Sequence, residues 1–279
     1  MMQERHILGI SGGRDSAALA VYMRQHRPQL DIEYFFTDTG KELPEVYTFL
    51  DRLEGFLGKP IKRLNPDRDF DFWLDEYGNF LPSPRTRWCT RQLKLRPLEH
   101  WIRPALEAGT TIHSYVAIRA DEPSREGYQA THENMLVHLP LREAGIDRAG
   151  VIELLEQADV GEPEYYSWRS RSGCTFCFFQ QKIEWVRLAD RHPEEFEKAI
   201  AYEKTALEGG SPFTWSQGES LTELVQPKRV EAIELDYKRR LERLRKRRPR
   251  NPLAAGIDET IDEVYGIDEA AGGCVICHK

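Results

Sequence analysis

The chain has 279 residues, 40% of them hydrophobic and 30% charged, with a formal net charge of −7. That composition suits a soluble globular protein with one large domain, or one domain with a helical appendage. No apolar stretch approaches the roughly 18 to 20 residues of a bilayer span, and the N-terminus lacks a signal-peptide core, so the expectation is a cytoplasmic protein with no membrane partner.

Strand-like and helix-like patterns alternate from residue 1 to about 145. The first strand is expected at residues 7–10, inside the apolar run His6-Ile7-Leu8-Gly9-Ile10, and a helix from Asp15 to about His26. A second strand at 31–37 ends in the turn Asp38-Thr39-Gly40. Residues 44–57 read as a helix with proline in its first turn, and 59–64 as a short third strand. The polar, aromatic stretch 65–88 shows no period and reads as a long loop region. Residues 91–107 are helical in pattern despite Pro97 and Pro104, and further strands fall at 111–118 and 135–139.

Beyond Gly145 the pattern is mostly helical, at 147–157, at 181–207 with a break at His192-Pro193, and at 227–248. In the last, Val230, Ile233, Tyr237, Leu241 and Leu244 recur at spacings of three and four, the mark of an amphipathic helix. The expected fold is α/β: a doubly wound, mostly parallel five-stranded sheet with a helical C-terminal region. The expected divisions are 1–145, a nucleotide-binding unit; 146–226, a helical region; and 227–279, a basic helix and a cysteine-containing tail. The tail from residue 251 is acidic, dotted with glycine, and expected to be poorly ordered except at its cysteines.

The hexapeptide Ser11-Gly12-Gly13-Arg14-Asp15-Ser16 follows the first strand directly. Two adjacent glycines let backbone N–H groups converge on an anion. Ser11 and Ser16 add hydroxyls, Arg14 adds charge, and the new helix N-terminus favours a phosphate. It is a phosphate cradle of neither the Walker nor the dinucleotide type. Asp38, Thr39 and Gly40 end the second strand at the same sheet edge, where ligands of such folds sit. Arg119-Ala120-Asp121-Glu122-Pro123-Ser124-Arg125 follows a later strand, with arginines suited to an oxyanion and carboxylates suited to a metal.

Five cysteines, Cys89, Cys174, Cys177, Cys274 and Cys277, are an odd number in a large chain expected to be intracellular, which argues against a disulfide framework and for metal binding or redox work. Cys174-Thr175-Phe176-Cys177 is half a metal site. Joined to Cys274 and Cys277 it makes a four-thiolate Zn2+ site; joined to Cys89 and one tail cysteine it makes an iron–sulfur site. Spacing leaves both open. The charge is also uneven: eleven Lys/Arg against four Asp/Glu lie from Pro227 to Arg250, a local +7 that leaves −14 elsewhere. A nucleic-acid partner is therefore expected along Lys228 to Arg250.

Taken together, these residues resemble the adenine-nucleotide α-hydrolase superfamily, in its branch related to PAPS/APS reductases. Ser11–Ser16 has the form of the superfamily's PP-loop, S-G-G-x-D-S. Asp38-Thr39-Gly40-Lys41-Glu42 resembles the branch's D-T-G-x-E segment, and Arg119–Arg125 its R-x-x-E-S-x-x-R segment with Pro123 interposed. The run from Arg87 to Leu98 resembles the reductases' cluster segment, with Trp88 where assimilatory APS reductases have their first cysteine. The likeness spans about residues 6–180.

The resemblance implies a 4Fe-4S cluster on Cys89, Cys174 and Cys177, with a fourth ligand, if any, from Cys274 or Cys277. Sulfonucleotide reductases carry degraded PP-loops; this one is complete. In that respect the chain resembles the ATP-pyrophosphatase component of DNA phosphorothioation systems, and more distantly the iron–sulfur enzymes that thiolate tRNA. The resemblance thus implies an ATP pyrophosphatase that adenylates a substrate for sulfur transfer. ATP would bind at Ser11, Gly12, Gly13, Arg14 and Ser16, with Asp38, Thr39 and Gly40 beside it. Asp15, together with Asp121, would take Mg2+, Arg119 and Arg125 would offset developing charge, Cys274 would complete the metal site, and Cys277 would carry sulfur. A cysteine desulfurase as sulfur donor and a homodimer are further expectations. The alternatives are a sulfonucleotide reductase and a non-catalytic nucleotide-binding zinc subunit.

Overall fold

The computed structural model describes residues 3–125, 132–211, 213–247 and 261–265. Five strands, β1 (Glu4–Gly9), β2 (Ile32–Phe36), β3 (Ile61–Arg63), β4 (Thr111–Tyr115) and β5 (Met135–His138), form one sheet in the order β3-β2-β1-β4-β5. All four pairings are parallel. The chain first winds outward from β1 through β2 to β3, then crosses back to add β4 and β5. Strand order therefore reverses between β1 and β4, and the crevice at their carboxyl ends is the natural ligand position.

Helices α1 (Arg14–His26) and α2 (Pro44–Leu57) follow β1 and β2. Leu8, Ala18, Leu19, Phe49 and Leu50 pack in the larger core on this side of the sheet. Ile7, one residue away on β1, points to the other face and joins Phe35, Leu64, Leu98 and Ile102 in a smaller core. Leu98 and Ile102 belong to α5 (Arg96–Glu107). The central strand β1 is buried on both faces at its carboxyl half, as parallel sheets require, while Leu136 on the edge strand β5 is exposed.

The stretch 65–88, expected to be a loop, contains α3 (Phe70–Glu76), capped by Asp69, whose carboxylate accepts from Phe72 N–H at 2.9 Å. Seven residues with two buried apolar side chains, Phe70 and Leu74, are too few to show a helical period. Trp88 begins α4 (Trp88–Thr90), and a π-helical turn (Arg91–Leu95) carries the chain into α5. Such wide turns are frequent at functional sites.

The remainder is helical: α6 (Pro140–Glu143), α7 (Arg148–Gln157), a 3-10 turn (Glu164–Ser167), α8 (Lys182–Arg191), α9 (Pro193–Glu208), α10 (Leu221–Leu224), α11 (Pro227–Arg247) and α12 (Ile261–Tyr265). The α8–α9 break falls at the expected His192-Pro193. No described helix is long and apolar enough to cross a membrane. Cys274 and Cys277, and the tail around them, lie outside the described residues.

Glu203 on α9 ties this region together, accepting from Trp215 N–H at 2.9 Å and Leu221 N–H at 2.6 Å. Glu219 joins α8 to α11 by pairing with Lys182 and, at 2.6 Å, with Arg229. These two cations, Arg229 foremost, hold the Glu219 carboxyl at about 2, below its ordinary 4.5. A lowered carboxyl pKa contributes stability above the unfolded value, and that stability is lost as pH falls through the folded one. Glu219→Gln is therefore expected to lower stability by about 1 kcal/mol at pH 7, since the pair is half-exposed. In urea titrations the deficit should shrink between about pH 4.5 and 2 and vanish below.

Candidate active site

The chain leaves β1 at Gly9 and turns through Ser11, Gly12 and Gly13 into α1. Gly12 has φ +74°, and a Cβ there would lie 2.6 Å from Val46 Cγ1, so only glycine fits. Ser16 Oγ accepts from Ser11 N–H at 3.0 Å, lies 3.0 Å from Ser11 Oγ, and donates to Gly13 O at 3.1 Å. The loop thus wraps around its own two hydroxyls at the positive end of α1. Tyr165, wholly buried, donates its hydroxyl to Gly12 O at 2.7 Å. Burial pushes that phenol well above its ordinary range and keeps it a neutral donor. The Arg14 guanidinium faces Glu162 at 2.7 Å and stacks 4.1 Å from the centre of the Tyr166 ring.

Asp15, the second residue of α1, points across the β1–β4 crevice. Arg119, 4% exposed, meets it at 3.1 Å and meets Asp121 at 2.9 Å. The rest of the loop is folded as tightly. Glu122 accepts from Arg119 N–H at 3.1 Å and from Arg125 Nη1 at 2.8 Å, and Arg142 reaches the carbonyls of Glu122 and Arg125, each at 2.6 Å. Asp15 and Asp121 hold a guanidinium between them, so this arrangement does not fit a Mg2+ ion on the same two carboxylates.

At the end of β2, Asp38 accepts from Tyr47 hydroxyl at 2.8 Å and Gly40 N–H at 2.9 Å. The Cys174–Cys177 segment docks on this loop. Thr175 donates to Lys41 O through both its N–H, at 2.7 Å, and its hydroxyl, at 2.9 Å. Phe176 packs against Phe70, Tyr202 and Trp215. Cys174 Sγ then lies 3.2 Å from Thr39 Oγ1 and 3.8 Å from Glu42 Oε1. Glu42 Oε2 is buried without a hydrogen-bond partner.

Cys89 and Cys174 each interact electrostatically with Cys177 and with Lys94. Burial raises Cys89 to about 12 and Cys174 well above its ordinary range, Glu42 adding to the latter. In donor type the three thiols fit a thiolate-held cluster. Among the described residues, however, no three His, Cys, Asp or Glu side chains are arranged to hold a metal ion. Trp88 is core: its indole N–H donates to Phe80 O at 3.0 Å, and its ring stacks on Tyr77.

Sequence reasoning missed the residues that reach the PP-loop from 150 positions away: Tyr165, Tyr166, Glu162 and Ser172. A Cβ on Gly13 would meet Ser172 Oγ at 3.0 Å and Tyr166 hydroxyl at 3.2 Å, so both overhang the loop. The one local signal was the basic run Arg169-Ser170-Arg171 before Cys174. On α11, Arg229, Lys238 and Arg240 pair with acids, two of them one turn away on the same helix. A second cationic surface lies beyond β3, where a cleft of about 660 Å3 is lined by Arg63, Arg68, Arg96, Arg103, Trp73 and Trp101 among others.

Residues 5–134 match the phosphoadenosine phosphosulfate reductase domain family. The matched segment is just under half of the chain. It contains the PP-loop, the Asp38 loop, Cys89 and the Arg119–Arg125 loop, while Cys174 and Cys177 dock from outside it. An uncharacterized protein of Methanocaldococcus jannaschii is 28% identical over 200 residues, 69% of this chain. The chain spans 40% of that relative's length. Among solved structures, the PAPS reductase of Candida auris is similar at 14% identity and TM-score 0.48, over 61% of this chain and 81% of that one. The U34-tRNA thiolase NcsA of Methanococcus maripaludis, solved with its 4Fe-4S cluster, is similar at 13% identity and TM-score 0.41, over 74% and 72%.

Breaking the buried ion pair across the crevice is expected to cost more than breaking its exposed neighbour. Arg119→Ala leaves Asp15 buried and stripped of this partner, at a cost of about 3 kcal/mol. Asp121 is 41% exposed, and Asp121→Ala should cost under about 1 kcal/mol. Urea unfolding at pH 7 separates the two; equal losses would contradict the ranking.

Proposed function

We propose that the chain is an ATP pyrophosphatase that activates a substrate oxygen by adenylation before sulfur replaces it. The observation that carries this reading is the complete PP-loop. Ser11, Gly12, Gly13 and Ser16 present hydroxyls and a helix N-terminus to an anion, and the loop geometry is fixed by Tyr165 and by the close approach of Val46. A reductase binds a nucleotide already activated, whereas an enzyme that splits ATP between its α- and β-phosphates needs the full cradle for departing pyrophosphate.

In this reading the substrate oxygen attacks the α-phosphorus, the bond to the β-phosphate breaks, and pyrophosphate leaves. The loop hydroxyls and the α1 N-terminus offset the charge that develops on it. Arg119 is positioned by Asp15 and Asp121, so its guanidinium enters the reaction oriented. A sulfur nucleophile then displaces AMP, a far better leaving group than an unactivated oxygen. Cys89, Cys174 and Cys177 would hold a 4Fe-4S cluster, which supplies a sulfur-binding iron when present. Thr39 and Glu42 lie against Cys174 and orient it.

Nucleic acid is the proposed acceptor. Two cationic surfaces support it: α11, and the arginine- and tryptophan-lined cleft beyond β3. Arginines interleaved with aromatic rings suit a strand whose bases stack and whose phosphates pair. A cysteine desulfurase as sulfur source and a cytoplasmic setting belong to the same proposal.

A second reading, a sulfonucleotide reductase, is favoured by the family match itself. Pyrophosphate release separates the two. Anaerobically purified protein given ATP, a divalent cation and candidate DNA or RNA should release pyrophosphate, and Ser16→Ala should lower the rate by about a hundredfold. Release of sulfite from PAPS or APS, with no pyrophosphate from ATP, would establish the reductase instead. Metal analysis of the same sample should find about four irons per chain; stoichiometric zinc would rule the cluster out.

A further inference from the structure

A cleft of about 520 Å3 opens behind the PP-loop, between the 3-10 turn, α7 and α11. Its lining includes Arg14 from the start of α1, Arg169 and Ser170 from the approach to Cys174, Arg187 of α8, and Tyr237 and Arg245 of α11. Ser11, Gly12, Gly13 and Ser16 do not line it, so it is separate from the loop's own hydroxyls.

Arg169 is 1% exposed, and Arg14 and Ser170 are equally inaccessible at 3%. Four of their buried polar atoms, Arg14 Nε, Arg169 Nε, Arg169 Nη1 and Ser170 Oγ, have no hydrogen-bond partner. Arg169 uses Nη2 to donate to Cys174 O at 2.7 Å, and Arg14 uses Nη1 for Glu162. Buried donors without acceptors are costly, and a buried cation without a counter-charge more so. Here the residues that carry them all line one cavity. Glu156, Glu162 and Glu164 also line it, but five arginines, Arg148 included, outnumber them.

We propose that this cleft binds a phosphate group, with Arg14, Arg169 and Ser170 at its floor and Arg245 at its mouth. A tetrahedral oxyanion offers several acceptors on one centre, which matches two guanidinium forks and a hydroxyl. The tyrosine faces are already used by cations: Arg14 stacks on Tyr166 and, at 4.8 Å, Arg187 on Tyr237. The ligand's phosphate is thus recognised more closely than any base attached to it. Because Arg169 also holds the Cys174 carbonyl, occupancy of the cleft reaches the thiol loop through one side chain.

The test needs no ATP and stands apart from the pyrophosphatase reading. Inorganic phosphate, AMP and a ten-nucleotide oligomer are titrated calorimetrically into the full chain and into Arg169→Gln, Arg245→Ala and Ser16→Ala variants. At least one binding event for inorganic phosphate is expected to survive Ser16→Ala and to weaken tenfold or more in Arg245→Ala and Arg169→Gln. Arg245 lies on the exposed side of α11, so its variant tests the site even if Arg169→Gln fails to fold. Competition by the oligomer would mark a phosphodiester ligand, and competition by AMP alone a nucleotide. Wild-type phosphate affinity in Arg245→Ala, or loss of all phosphate binding in Ser16→Ala, would overturn the proposal.

Discussion

The ion pair between Asp15 and Arg119 closes the crevice where strand order reverses. Asp15 is the second residue of α1, and Arg119 follows β4, so the contact joins the two crossover systems of the sheet. Both side chains are nearly inaccessible, which makes the pair costly to desolvate and costly to break. Such a pair is poor evidence for stability gained, but it is good evidence for a fixed geometry. The Glu122–Arg125–Arg142 contacts then lock the remainder of that loop to the residues after β5.

A second constraint sets the thiols against the same edge. The segment Cys174–Cys177 is held by Thr175 on Lys41 O and by Phe176 in an aromatic core, so its two cysteines flank two anchors. Arg169 braces the turn from behind through Cys174 O, and Gln180 does the same through Thr175 O at 2.7 Å. Phosphate loop and thiol loop therefore share a wall, built from the polypeptide between Tyr165 and Gln180. A chemistry that couples a nucleotide to sulfur needs that proximity.

Most of the sheet could be read from the chain because β1 and β2 carry compact apolar runs bounded by polar turns, and α2 between β2 and β3 has a clear apolar stripe. The PP-loop was equally plain, since its glycines and hydroxyls have few other uses in that order. What could not be read was long-range. Nothing local to Tyr165 announces a hydroxyl bound to Gly12 O, and nothing local to Trp88 says that its ring belongs to the Phe70 core. The α3 helix escaped because two buried residues make no period. Arg14 was legible as a cation near phosphate, but its partners, Glu162 and Tyr166, could only come from the fold.

Trp88 sharpens the question of how many thiols the site uses. Its ring is stacked on Tyr77 and tilted against Phe70, and Phe70 in turn touches Phe176, the residue between Cys174 and Cys177. Trp88 thus supports the loop that carries Cys174 and Cys177. Replacing it with cysteine would remove packing from beneath the Cys174–Cys177 turn while adding a thiol. Trp88 is thus part of the packing under the Cys174–Cys177 turn, and a change there is felt at that turn through Phe70 and Phe176.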